Sequence, residues 1–522
     1  MNTKALRQKI LDLAIRGKLV PQDPNDEPAE VLLERIRKQK QQMLKEGKLK
    51  KKDIKNDTII FKGEDNLHYE KFQDGTVKCI EDEIPFEVPK GWEWSRLNSI
   101  VDVRDGTHDT PTYVDKGIPL ITSKNLVEGG IDYSNVKYIS EKDAISINER
   151  SGVNIGDILF AMIGTIGNPS MITKDILISI KNVALFKFTF SKNLSNHFVM
   201  YFLDYAQEDM KNKPSGGLQP FVSLNFLRTY LVPVPPVEEQ QRIVSILADS
   251  INKIRNIDVL KNELTASVEK AKSKILDLAI RGKLVPQDPN DEPASVLLER
   301  IRTEKEELIK QGKIKRDKKE SVIFKGEDNS YYLRTGRVEE SLEDWRFDDL
   351  PETWKICCLG ELCDYGDCIN VNTEDIAEDA WILDLEDIEK DTGTVLKKVT
   401  KDQRNSVSTK HKFHSEQVLY SKLRPYLNKV VLSDADGYCT SEILPLEFKN
   451  CVLPEYARYY LMSGTFITYA NHCSYGVKMP RLGTTDGKKA IFSLPPLSEQ
   501  KRIVETIDFC FMQLNKISEA LA

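Results

Sequence analysis

A chain of 522 residues exceeds what one hydrophobic core usually organises, so two or more domains are expected, with 40% hydrophobic residues to fill them. No run of 18 or more apolar residues occurs, and the opening MNTKALRQKILDLAIRGK has no apolar signal-peptide core; no membrane is expected, and the nine cysteines, an odd count, also fit a cytoplasmic location. A net charge of −6 argues against a uniformly basic nucleic-acid binder, so positive charge that meets a polyanion has to be gathered locally.

Residues 3–16 read as an amphipathic helix, PQDPNDEPA at 21–29 as a turn-rich loop, and VLLERIR at 31–37 as the start of a second, short helix. Residues 35–55 hold ten Lys/Arg against two acids, a solvated helix end or a phosphate-contacting arm. Beyond residue 67, strand-like runs (IPLITS, DILFAMIG, VALFKFTF) alternate with Gly/Asn/Asp turns, and HFVMYFLDYAQEDM reads as helix. Pro235–Pro236 then introduce one long helix at 237–281. Its apolar residues (Ile243, Leu247, Ile251, Ile254, Ile257, Leu260, Leu264, Val268) are three and four apart, a coiled-coil-like stripe, and Gly282 is a plausible stop.

From there the chain repeats itself. ILDLAIRGKLVPQDPNDEPA at 10–29 returns unchanged at 275–294, VLLERIR returns at 296–302, and IFKGEDN at 60–66 returns at 323–329. PPVEEQQRIV at 235–244 is matched by PPLSEQKRIV at 495–504, an offset of 260. The intervening stretches keep only a hydrophobic skeleton: GDILF at 156–160 faces EQVLY at 416–420, and VALFKF at 183–188 faces ILPLEF at 443–448. Identical stretches are expected to do one job twice, such as docking two copies of a partner. The varied ones are expected to bind two different targets.

The layout is therefore an N-terminal helical region at 1–66, a variable α+β domain at 67–235, a central region with the long helix at 236–330, a second variable domain at 331–495, and a C-terminal helix at 496–522. Residues 498–522 and 3–16 each supply part of a second copy of the long helix. They are expected to stack end to end and pack antiparallel on it. The expected fold class is α+β: two globular α+β domains in pseudo-two-fold arrangement, joined by long antiparallel coiled-coil-like helices.

No catalytic motif is evident. There is no GxxxxGK[ST], no GxGxxG after a strand, no HExxH, and both Pro-Pro pairs lack the Asn/Asp-Pro-Pro-aromatic setting suited to methyl transfer. Cys357, Cys358, Cys363 and Cys368 are spaced too loosely for an ordinary zinc site and read as buried thiols, while HKFH (His411, His414) reads as a surface turn.

The ordered set of GIPLITSKNL (117–126), GDILFAMIGTIGN (156–168), GGLQPFVSLNFL (216–227) and PPVEEQQRIV resembles the specificity subunit of type I restriction–modification systems. VLYSKLRPYLNKVVLS (418–433) and SYGVKMPRL (474–482) hold the equivalent places in the second domain, and the resemblance covers essentially the whole chain. It implies two target-recognition domains, each reading one half of a split, asymmetric site in double-stranded DNA. It implies helices that set the spacer and dock two methyltransferase subunits, which a restriction subunit can join. No catalysis and no cofactor are implied for this chain; S-adenosylmethionine, ATP and magnesium would sit on the partners.

Candidate DNA contacts are polar side chains on loops able to enter a groove. In the first domain these are Arg104, Thr107 and His108, then Ser123, Lys124 and Asn125, then Lys213, Ser215 and Gln219. In the second they are Lys422, Arg424, Tyr426 and Asn428, then Tyr475, Lys478 and Arg481. The alternative is a duplicated scaffold without DNA, tethering two copies of a partner enzyme, which the acidic charge favours.

Overall fold

The computed structural model describes residues 2–212, 221–315, 321–328, 330–342, 350–404 and 407–521. It divides into two units, 2–260 and 261–522, with the boundary inside the long helix.

The first unit opens with helix α1 (Thr3–Ile15), closed by Gly17 at φ +65 with Lys18 N donating back to Leu13 O at 2.8 Å. Helix α2 (Ala29–Lys45) follows the PQDPNDEP loop. The chain then forms a three-stranded antiparallel meander, Ile59–Lys62, His68–Lys71 and Val77–Cys79. The repeated GEDN is its first turn: Gly63 N bonds Leu67 O, Asp65 Oδ1 caps Leu67 N, and Asn66 takes φ +64. The helical reading of 1–66 therefore stops short. The β-branched and aromatic residues of IIFK favour a strand, and the expected boundary at 66/67 cuts a hairpin. The same holds at 330/331, where Ser321–Lys325 pairs with Tyr331–Thr335.

The variable domain of this unit enters through strand Glu93–Arg96 and leaves through Leu231–Val234, which pair antiparallel. Between them lie two four-stranded sheets. In one, strand Ile158–Ala161 is flanked by Gly167–Met171 and Val183–Lys187, and the latter pairs with Asp102–Asp105. In the other, Ser179–Lys181 runs parallel to Ile118–Thr122. All four residues of Ile158–Ala161 are buried, and their alternation serves two cores. Ile158 and Phe160 join the helices, among them α3 (Asn196–Asn212), while Leu159 and Ala161 meet Ile121 and Ile180 of the second sheet. Helix α4 (Val237–Ile280) spans 44 residues, about 66 Å at helical rise. Its first turns contribute Ile243 and Leu247 to the core that holds Leu11, Ala14 and Ile15 of α1.

The second unit repeats this plan. The end of α4 (Leu276, Ala279, Ile280) takes the part of α1, and helix α5 (Ala294–Lys310) that of α2. Strand Lys355–Cys358 pairs with Ile491–Leu494. A three-stranded sheet centred on Val418–Ser421 packs on helix α6 (Pro454–Leu461), and a five-stranded sheet carries a parallel pair, Trp381–Leu383 with Gly437–Thr440. Helix α7 (Leu497–Leu521) supplies Ile503 and Ile507 to the core. Each unit is an α+β assembly, as expected. Residues 411–413 of HKFH lie in the strand Lys410–Phe413 rather than in a surface turn, with His411 buried and Nδ1 2.8 Å from the Ile443 carbonyl. Aromatic Phe413 and Trp381 pack edge-on beneath it, and that burial overrides the polar look of the segment. Cys357, Cys358 and Cys363 are buried thiols outside any disulfide. Burial pushes the Cys357 and Cys363 thiols well above their ordinary pKa.

Candidate nucleic-acid interface

In the second unit the buried strand Val418–Ser421 delivers the chain into a loop whose turn is set by two left-handed residues, Arg424 (φ +50) and Asn428 (φ +49), around Pro425–Leu427. A second loop, 474–482, is fastened to it by backbone bonds. Arg424 N donates to Pro480 O at 2.7 Å, and Leu482 N donates to Lys422 O at 3.0 Å. Tyr475 and Arg481 exchange N–H···O bonds at 3.1 and 3.0 Å, which closes 475–481 as a small hairpin. The two groups of residues chosen from sequence are thus one surface.

Its tip is chemically mixed. Tyr426 and Tyr475 are 50% and 62% exposed, Val477 is fully exposed, and Lys478 points to solvent without an ion pair among the described residues. Arg481 is held beneath by Glu442, which accepts Nε–H at 3.0 Å and an Nη2 proton at 2.7 Å. That pairing raises the guanidinium pKa further. Arg424 Nε and Asn428 Oδ1 are buried without a hydrogen-bond partner, and Asn428 Nδ2 makes only a long 3.4 Å bond to Met462 O. Donors and acceptors left open at the base of a basic, aromatic loop suit a polar ligand that arrives from outside.

The first unit repeats the described links at the end of the equivalent strand. Val222 N donates to Met162 O at 2.9 Å, Ile163 bridges Phe221, and Asn168 takes φ +51. These positions are the second unit's Leu482, Lys422, Leu423, Arg481 and Asn428 minus 260. Gly164, Thr165 and Phe221 are exposed there. None of the three was singled out from sequence. The offset of 260 would have pointed to them, because it carries Lys422–Asn428 onto 162–168. Lys213, Ser215 and Gln219 lie outside the described residues, in the segment leading to Phe221.

The other candidates of the first unit gather elsewhere. Strand Asp102–Asp105 turns at Gly106, where a Cβ would sit 2.3 Å from the Ile180 carbonyl oxygen, so only glycine fits. His108 is exposed, its Nε2 2.9 Å from Asp105 Oδ2 and its Nδ1 3.0 Å from Asn182 Oδ1. Arg150 also pairs with Asp105. Arg104 is tied to Asp102 at 2.7 Å and donates to Arg150 O, while Thr107 is half-buried at a backbone bridge to Lys181. Ser123 and Asn125 are engaged inside the fold: Ser123 Oγ donates to Asn182 O, and Asn125 Oδ1 caps Thr122 N at 3.0 Å while Nδ2 donates to Asp132 O. Their neighbour Lys124 is exposed.

Two separate stretches, 89–266 and 351–520, match the family described as "Type I restriction modification DNA specificity domain". The chain belongs to this family. Each match takes in one recognition domain, including its loop pair, and runs into the helix that follows. At 29% identity it is similar to the type I restriction enzyme EcoAI specificity subunit of Escherichia coli, over 98% of this chain and 90% of that one. It is equally similar to the Escherichia coli EcoEI specificity subunit, over 69% of this chain and 61% of that one. A solved structure titled for complex assembly and conformational transition of the type I R-M system shares the fold, with a TM-score of 0.55 at 16% identity, covering 84% of this chain and 94% of that one. Membership makes DNA target recognition the role of these domains. No helix among the described residues is long and apolar enough to cross a membrane.

Proposed function

We propose that this chain is the non-catalytic, sequence-specific subunit that recognises a two-part asymmetric DNA site and directs partner methyltransferase and restriction subunits to it. The observation that carries the reading is the bridge present at equivalent positions in both units, Ile163 against Phe221 and Leu423 against Arg481, with different side chains at matching positions. Two readers with one architecture and two chemistries call for two half-sites that differ. The helices act as the spacer ruler and dock two methyltransferase subunits. S-adenosylmethionine, ATP and magnesium belong to the partners, and the assembly works in the cytoplasm.

Base contacts fall to Tyr426, Tyr475 and Arg481 in the second unit, with Lys478 on the phosphate backbone and Lys422, Arg424 and Asn428 as the loop's base. In the first they fall to the 162–168 loop and to Lys213, Ser215 and Gln219, with His108 and Lys124 as flanking contacts. The test is selection of DNA from a random pool by the full chain, with and without its methyltransferase partner, followed by exchange of residues 89–235 for the same segment of another family member. Joining at 89 spares the 59–79 sheet that a cut at 67 would sever. One half-site should change and the other stay. A change in both halves breaks the modular reading, and failure to select any split sequence favours a scaffold without DNA.

A further inference from the structure

The best-preserved side chains of the repeat touch neither loop pair. Glu239, in the first turn of α4, is 1% exposed; its Oε2 accepts from Trp92 Nε1 at 2.9 Å and its Oε1 from Gln22 Nε2 at 2.8 Å. Trp92 stands at the entrance of the recognition domain, Glu239 just past its exit, and Gln22 in the loop after α1. Gln240 accepts from Ser195 N at 2.9 Å and donates to Pro235 O at 2.9 Å, and Arg242 pairs with Asp26. Gly17 lies so close to this point that a Cβ would fall 2.3 Å from Pro89 Cγ.

The second unit reproduces every one of these contacts. Glu499, fully buried, accepts from Trp354 Nε1 at 2.9 Å and Gln287 Nε2 at 2.6 Å. Gln500 accepts from Leu453 N at 2.8 Å and donates to Pro495 O at 3.1 Å; Arg502 pairs with Asp291; and a Cβ on Gly282 would fall 2.5 Å from Pro351 Cγ. Three chain segments therefore converge on one buried carboxyl in each unit. Burial pushes both carboxyls above their ordinary pKa, with the Trp and Gln donors opposing it. Hydrogen bonds to a buried carboxylate are strong and directional, so such a node is a stiff joint. Within the twenty identical residues, Gly17, Gln22 and Asp26 thus form the seat on which the Glu-Gln-x-Arg turn rests.

We infer that Glu239 and Glu499 are positioning residues that lock each recognition domain onto its stem helix and so hold the spacer between the half-sites to one length; this rests on the two-half-site reading above. Neither carboxyl reaches solvent, so neither reads a base. Opening a joint widens the set of spacer lengths accepted and leaves the bases of both half-sites alone.

The experiment uses the full-length chain as wild type, Glu239→Ala, Glu499→Ala and Trp92→Phe, which removes the indole donor while keeping an aromatic ring in the core. Hydrogen exchange without DNA should quicken at least tenfold at 17–26 for the Glu239 and Trp92 variants and at 282–291 for the Glu499 variant. Selection from DNA with the wild-type half-sites and spacers of varied length should pass from one length to three or more, with unchanged half-site bases. Unchanged exchange, an unchanged single spacer, or altered half-site bases would each overturn the inference. If an alanine variant does not fold, Trp92→Phe supplies both readings. A wild-type chain that selects no split sequence defeats the two-half-site reading and the spacer role with it, while the exchange data still report on the joint.

Discussion

The loop pair of the second unit is basic and aromatic, whereas the described part of the first unit's pair shows Gly164, Thr165 and Phe221. The bridging bonds beneath recur, down to the left-handed asparagine at 168 and 428. The contrast continues one strand away. Lys187 and Asp157, both buried, pair at 2.6 Å in the first unit; the same two positions of the second unit hold Glu447 and Gln417, joined at 2.8 Å near solvent. Hydrogen bonds between backbone groups specify a shape without specifying side chains. A reader can therefore change its target while its scaffold stays put.

Four experiments would break or sharpen this contrast. The largest effect is expected inside the fold. Lys187→Met strands the Asp157 carboxyl in a buried setting and should cost the first unit about 3–5 kcal/mol, whereas Glu447→Ala should cost the second unit about 1 kcal/mol or less, because that pair is exposed. Denaturation of the full chain followed by unit-resolved hydrogen exchange measures both, and equal losses would erase the distinction.

Next, Glu442→Ala frees Arg481 from its bidentate hold and should weaken binding at the second half-site by about 1–3 kcal/mol. Preference at the first half-site should not move, which a competition assay on half-site variants can check. Lys478→Ala should lower affinity several-fold for every sequence alike and reduce the salt slope of binding by about one. A sequence-dependent loss would instead make Lys478 a base reader. The smallest effect belongs to Thr165→Ala, about 0.5–1 kcal/mol at one base pair of the first half-site only; an effect on the second half-site would undo the equivalence of the loops.

Much of this was legible in the chain itself. The duplication, the helix at 237–280 with its proline start and glycine stop, the α+β character of the variable segments and the family resemblance follow from periodicity and repeat, which are local properties. The second domain's candidates proved to be one surface because the loops 422–428 and 474–482 carry basic and aromatic residues that stand out from their surroundings. Ser123 and Asn125 show the limit. A polar residue in a loop reads as available, but whether its side chain caps a turn or faces outward depends on neighbours such as Thr122 and Asn182 brought up by the fold. The 59–62 strand was hidden by the helical residues before it, and buried His411 by the polar letters on either side.

Sequence alone determined that one module occurs twice and which stretches are held constant. It could not say why they are constant. Docking of a partner is the natural expectation; the structure adds contacts of Gln22, Asp26 and Gly17 with Glu239, Arg242, Pro89 and Trp92, which bridge more than 60 residues of chain at the least and more than 200 at the most. Only the tertiary structure decides that, because a hydrogen bond between Gln22 and Glu239 is a property of two points in space, and nothing in the spacing of residues along a chain encodes which distant donor a buried carboxylate will meet.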